Sequence, residues 1–196
     1  RYISVTGVQT CALPISENFK RWFGGSKVVD TEGRPKIMYH GTSKDIDFTK
    51  FKVGMRGAWF ASSPEEASRY AQSNDSQGHK YDLYTGEYKA VNTAQRVIPV
   101  FLSIENPYHL TEEERNTLFK ATNYAAVQRR IFENAKFRGY DGIELSPDVW
   151  VAFKPEQIKS AISNTGEFSR AKADIRFSEG DDILQRMGKA PFREDQ

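Results

Sequence analysis

Apolar positions change their spacing several times along the chain, and each change marks an element. In NYAAVQRRIFENAKFRG, residues 123–139, Val127, Ile131 and Ala135 recur every four residues and Gly139 follows, which predicts a helix. TEEERNTLF opens with Thr111 and Glu114 at capping-box spacing. PEEASRYAQS starts with Pro64 at a first helical position, and Glu65 and Glu66 follow at the positive end of the helix dipole. ENFKRWFGG, from Glu17, reads as a short amphipathic helix closed by glycines. Shorter runs between these read as strands. They are a pair around the glycine turn in KVVDTEGRPKIMYHG, then GAWFASS, RVIPVFLSI, YDGIEL and DVWVAF, with PEQIKSAI continuing the last after a turn or bulge. Residues 45–55 read as a loop carrying Phe48 and Phe51, and residues 73–95 as a polar surface loop. Strands in sequential pairs, with helices between only some of them, predict an α+β fold.

Composition narrows the picture. The 196 residues suffice for one domain, and 13% aromatic content can fill a core. Lys and Arg number 28 against 26 Asp and Glu, so the net charge of +2 lacks the basic excess usual for a nucleic-acid-binding domain. No run approaches a membrane span. VTGVQTCALPI, Val5 to Ile15, resembles a translated sequencing adapter, and residues 1–16 are set aside from fold reasoning. Cys11, the only cysteine, goes with it, and cysteine chemistry with Cys11. The patterned sequence then reads as one domain over residues 17–178, followed by a polar linker or tail over 179–196. His40, His79 and His109 have no metal-ligand spacing, and no Gly-rich phosphate loop appears.

Three stations near strand ends carry candidate chemistry: His40-Gly41-Thr42, Trp59-Phe60 with Tyr70 on the next helix, and Val149 to Phe153 leading into Gln157. Taken singly, each has an ordinary structural reading: a satisfied strand-end histidine, core aromatics, a buried strand. Taken in order, YHGT, GAWFASSPEEASRY and VWVAFKPEQI resemble the ADP-ribosyltransferase superfamily, in its diphtheria-toxin and poly(ADP-ribose) polymerase branch. SKVVD, YDGI, QIKSA and DIRFS extend the likeness to the ADP-ribosyltransferase domains of very large polyvalent proteins of phages and mobile elements.

The resemblance implies a split α+β fold, two small antiparallel sheets forming an NAD cleft with flanking helices. It implies a mono-ADP-ribosyltransferase that takes NAD as substrate and releases nicotinamide. His40 would donate to the adenosine ribose, and Gly41 would offer its backbone to the nicotinamide amide. Thr42 would support a ribose or the loop, Tyr70 would stack on nicotinamide, and Trp59 and Phe60 would build the pocket wall. Lys52 and Arg56 are candidates for the pyrophosphate. Many relatives place a glutamate where Val149 stands, and some carry a serine where Ala67 stands. Glu144, Asp148 and Gln157 are the stand-ins for the missing polar group, and His40, Tyr70, Glu144 and Gln157 make up the candidate catalytic set. Two other readings stay open: a catalytically weak or silent NAD-binding module or NAD glycohydrolase, and a phage structural or interaction domain on the same scaffold. The resemblance further implies a macromolecular acceptor, protein favoured over nucleic acid, no membrane, a place in a larger multidomain protein and a cytoplasmic setting.

Overall fold

The computed structural model describes residues 16–42, 49–73, 79–82, 87–90, 96–164, 166 and 168–176. The adapter-like residues 1–15, the tail from 177 and the loop residues 43–48, with Phe48, lie outside them.

Four helices form where the caps predict. Helix α1, Glu17–Phe23, is capped by Ser16, whose hydroxyl accepts from Phe19 N at 3.1 Å. Ser16 therefore takes part in the fold although it falls within the stretch set aside above. Phe19, Trp22 and Phe23 are buried and pack with Phe101 and Phe168. Helix α2 spans Pro64–Ser73. Helix α3, Glu112–Lys120, has both bonds of the Thr111–Glu114 capping box. Helix α4, Tyr124–Phe137, is capped by Asn123 and followed by Gly139 at φ 83°, a left-handed position that costs glycine little.

The strands are β1 (Met38–Thr42), β2 (Ala58–Ala61), β3 (His79–Asp82), β4 (Glu87–Ala90), β5 (Arg96–Leu102), β6 (Pro107–His109), β7 (Gly142–Ser146), β8 (Val149–Ala152) and β9 (Ile158–Ser160). Seven form one mixed sheet in the order β6-β7-β8-β2-β1-β5-β9, with only β6 and β7 parallel. The side-chain period of two sorts this sheet into two cores. Ala58, Phe60, Val100, Leu102, Trp150, Ala152 and Ile158 pack with Phe51, Ile104 and Ile175. Ile143, Leu145, Val151 and Phe153 pack with Leu118 of α3 and Ile131, Phe132 and Ala135 of α4.

The expected pair of small antiparallel sheets is corrected to this single sheet, and the register shows why the halves still part. Strands β1 and β5 share five register pairs and β2 and β8 share four, but β1 and β2 share one, Tyr39 with Ala61. One rung joins two well-paired halves, and the strands diverge beyond it.

Other expectations are corrected too. Residues 73–95 hold a separate ribbon, β3 paired with β4 from His79↔Ala90 to Asp82↔Glu87. The predicted strand before the glycine turn reduces to one bridge, Val29 with Pro35. PEQIKSAI does not prolong β8: a turn of 3-10 helix over Pro155–Gln157 redirects the chain, and β9 pairs with β5 at the opposite edge. There Lys159, fully buried, donates from Nζ to the carbonyls of Lys172 and Asp174 at 2.8 and 2.6 Å, and Ser160 N donates to Ile175 O. QIKSA and the described part of DIRFS are thus two sides of one clasp. Burial of its ammonium pulls the Lys159 pKa down to about 8. No helix among the described residues is long and apolar enough to cross a membrane.

Candidate NAD cleft

Where β1 and β2 part, a side chain takes over the next rung. The imidazole of His40 lies between the strands, with Nδ1 2.8 Å from the Trp59 carbonyl oxygen. A carbonyl only accepts, so Nδ1 carries the proton and donates. Phe51 and Phe60 pack against the ring at centroid distances of 5.0 and 5.5 Å. Burial lowers the His40 pKa from its ordinary 6.5, opposed in part by the bond to Trp59. The neutral ring then has Nε2 as an acceptor. The expectation that His40 donates to a ribose is therefore reversed: its N–H is spent on Trp59, and a ribose hydroxyl would donate to it.

The depressed pKa sets a pH dependence. A histidine kept neutral by folding favours the folded state fully above its unfolded pKa, near 6.5, and that contribution is lost as pH falls toward the lower folded value. Denaturant midpoints for wild type and His40→Asn at about pH 7.5 and about pH 5 should show the larger drop in wild type. Equal drops would mean that His40 is not held neutral.

The cleft at the split has a volume of about 370 Å³ and is bordered by His40, Gly41, Arg56, Trp59, Tyr70 and Val149, among others. That size is ordinary for a small-molecule site. Helix α2 forms one wall, and its closeness explains Gly41. A Cβ on Gly41 would overlap the Ala67 carbonyl and come within 3.1 Å of Ala71 N. The glycine seats the helix backbone on β1, with Ala67 and Ala71 buried at the contact. Tyr70, on the same helix, is 44% exposed and reaches the cleft. Trp59 faces it with its ring stacked on Phe132 at 5.9 Å and its Nε1 donating to Arg56 O at 3.0 Å. Phe60, almost fully buried, lies beneath. Burial raises the pKa of both Tyr70 and Tyr124, reinforced by the nearby charge of Glu66 on the first and by Tyr70 on the second, so both stay neutral phenols.

The proposed stand-ins for the missing acid do not come here. Glu144 is paired in register with Trp150, on the sheet face opposite Ile143 and Leu145. Its Oε2 is 2.6 Å from His109 Nδ1, in a separate hollow shared with Lys27, Asp30 and Lys36. Asp148 accepts from Ser62 Oγ at 2.6 Å. Gln157 is buried and fully used: Oε1 accepts from Phe153 N and Lys154 N, and Nε2 donates to Ser103 O and Asp141 O. It shapes the turn between β8 and β9. Thr42 ends β1 opposite Arg96, and neither it nor Lys52 borders the cleft. Val149 does border it, and among the described lining residues there is no carboxylate. Nor do three His, Cys, Asp or Glu side chains gather among the described residues where they could hold a metal ion.

Sequence reasoning missed Tyr39, Tyr124 and Gln128, which also border the cleft. Gln128 left a signal: Tyr124, Gln128 and Phe132 are spaced four apart, and a polar residue interrupts the stripe that α4 buries.

A family model described as ADP-ribosyltransferase in polyvalent proteins matches residues 30–168. That span begins before β1, ends after β9 and contains every described residue bordering the cleft. No curated protein and no solved structure matches the chain.

Proposed function

The chain belongs to the ADP-ribosyltransferase family of polyvalent proteins, and from that premise we propose that it cleaves NAD and transfers one ADP-ribose to a macromolecular acceptor, protein rather than nucleic acid. The observation that carries the reading is the convergence of His40, Trp59 and Tyr70 on one cleft at the sheet's split. Each has a task there. The cationic nicotinamide ring lies against the aromatic walls, an attraction of about 1 kcal/mol or more when water is excluded. His40 Nε2 accepts from a ribose hydroxyl. Arg56, exposed at the rim, meets the pyrophosphate.

In the reaction the bond between nicotinamide nitrogen and ribose carbon breaks, and its electron pair leaves with nicotinamide, which becomes neutral. Positive charge grows on the ribose. The acceptor's nucleophile bonds to the same carbon and loses its proton. With no carboxylate among the described lining residues, stabilisation of that charge falls to the acceptor's own polar groups. A modified acceptor group cannot assist again, so the product is a single ADP-ribose unit. The same lack of a carboxylate favours a second reading, a weak NAD glycohydrolase or silent NAD-binding module.

Incubation with labelled NAD and a bacterial lysate separates the readings. Nicotinamide release with label on a macromolecule is the expected result. Release without label supports the hydrolase, saturable binding without release the silent module, and no binding an interaction domain on the same scaffold. Within the first reading, Tyr70→Ala should weaken NAD binding about fivefold, the worth of one aromatic stack. Phe101→Tyr, at the α1 contact, should leave the affinity unchanged. Calorimetric titration measures both, and equal affinities with intact folds would make Tyr70 a packing residue.

A further inference from the structure

Gln128 is 4% exposed, on the face of α4 that packs against the sheet. It nevertheless borders the cleft, and its side-chain amide has no hydrogen-bond partner among the described residues. Among the described residues the one fully buried side-chain N or O without a partner is Arg115 Nε, so the Gln128 amide opens onto the cleft, and a polar group on this otherwise apolar face calls for a reason. Its neighbours give no structural one. Phe132, one turn on, is fully buried and stacks on Trp59, and Ile131 and Ala135 continue the apolar face. Leucine would fill this position at nearly the same volume and leave nothing unpaired.

The cleft has a polarity gradient that says what the amide meets. The charged group among its described lining residues, Arg56, is at the exposed rim, and aromatic groups line the walls. Among the described lining residues, Gln128 is the buried side chain that carries an unspent donor and acceptor together. Trp59 Nε1 is committed to Arg56 O and His40 Nδ1 to Trp59 O. A ligand with a charged end and a flat ring bearing a neutral amide enters ring first, because its phosphates stay with the rim cation and water. A primary amide presents one acceptor and two donors, the complement of another primary amide. We infer that Gln128 is a specificity-determining residue: its amide pairs with the carboxamide of the nicotinamide ring and tells the amide from the corresponding acid. This rests on the NAD reading of the same cleft.

The test compares binding of NAD and of its nicotinic-acid analogue to wild type, Gln128→Leu and Gln128→Asn, with thermal melting of each. Wild type should prefer NAD, since a carboxylate would turn a lone pair onto Gln128 Oε1. Gln128→Leu should bind NAD about five- to tenfold more weakly, the loss of one or two neutral hydrogen bonds. It should also lose the preference over the acid, and should melt no lower than wild type. Gln128→Asn, one methylene short, should lose affinity as well. A leucine variant that melts lower and keeps both affinity and preference would make Gln128 a packing residue and overturn the inference alone. Wild type that binds neither dinucleotide would overturn it together with the NAD reading.

Discussion

Gly41→Ala is expected to destabilise the fold by about 1–3 kcal/mol, the usual cost of forcing a methyl into a filled site, and Gly41→Val by more. The obstacle is backbone against backbone. The added Cβ would overlap the carbonyl of Ala67 and crowd Ala71 N, and neither can rotate away as a flexible side chain would. Helix α2 must lift from β1, and it carries Ala67 and Tyr70, both at the cleft. Stability and NAD affinity should therefore fall together. At about 2–4 °C per kcal/mol for a chain of this size, the melting shift is readily measured. Ala67→Gly should not rescue Gly41→Ala, because it leaves the offending carbonyl in place. A Gly41→Ala variant that melts like wild type would show that α2 does not rest on this strand. Helix α2 occupies the space a Gly41 side chain would take, while the residue itself still borders the cleft.

The helix packed behind Gly41 marks what a single sequence can convey. Helices were legible because their signals are local: Thr111 with Glu114, Pro64 at the start of α2, and Gly139 after α4 each act within a turn or two of backbone. Strand existence was largely legible for the same reason. Strand order was not, since pairing joins residues far apart in the chain. PEQIKSAI carries the Gln157 amide that fixes the turn, but its partners, the carbonyls of Ser103 and Asp141, lie 54 and 16 residues away, so the segment alone does not say that it crosses to the far edge. The ribbon of β3 and β4 was missed because its sequence is polar and lacks the alternation that a half-buried strand shows.

The site divided along the same line. His40, Trp59, Phe60 and Tyr70 converge as their order along the chain suggested. Glu144 was misplaced although alternation already put it opposite Ile143 and Leu145. Sequence shows that two faces exist, not which one meets the cleft. Deciding that requires the β7–β8 register, which sets Ile143 against Val151 and Glu144 against Trp150. The tautomer of His40 was equally out of reach, since the Trp59 carbonyl that fixes it lies on another strand, nineteen residues away.

Val149→Glu is expected to raise the rate of nicotinamide release at saturating NAD by about thirty- to several hundred-fold. Val149 lies in β8, paired in register with Ala61 of β2, and it borders the cleft while Glu144 and Asp148 do not. Among the described lining residues no carboxylate faces the charge that develops on the ribose. A carboxylate fixed at this position would stabilise that charge in the transition state more than in bound NAD, and only such a difference speeds the chemical step. Preorganised groups of this kind are worth about 2–4 kcal/mol, which gives the range of rates above. Partial burial of the new carboxylate costs some stability, so the melting temperature should fall modestly while the rate climbs. The comparison is the initial rate for wild type, Val149→Glu, Glu144→Gln and His40→Ala, with affinity for NAD measured on each. Glu144→Gln should be silent, because Glu144 bonds to His109 in another hollow. A folded Val149→Glu variant without gain, beside a Glu144→Gln variant without activity, would transfer the catalytic role to Glu144. Polymer chains made by wild type would end the single-transfer reading, because an acceptor-assisted reaction stops after one unit.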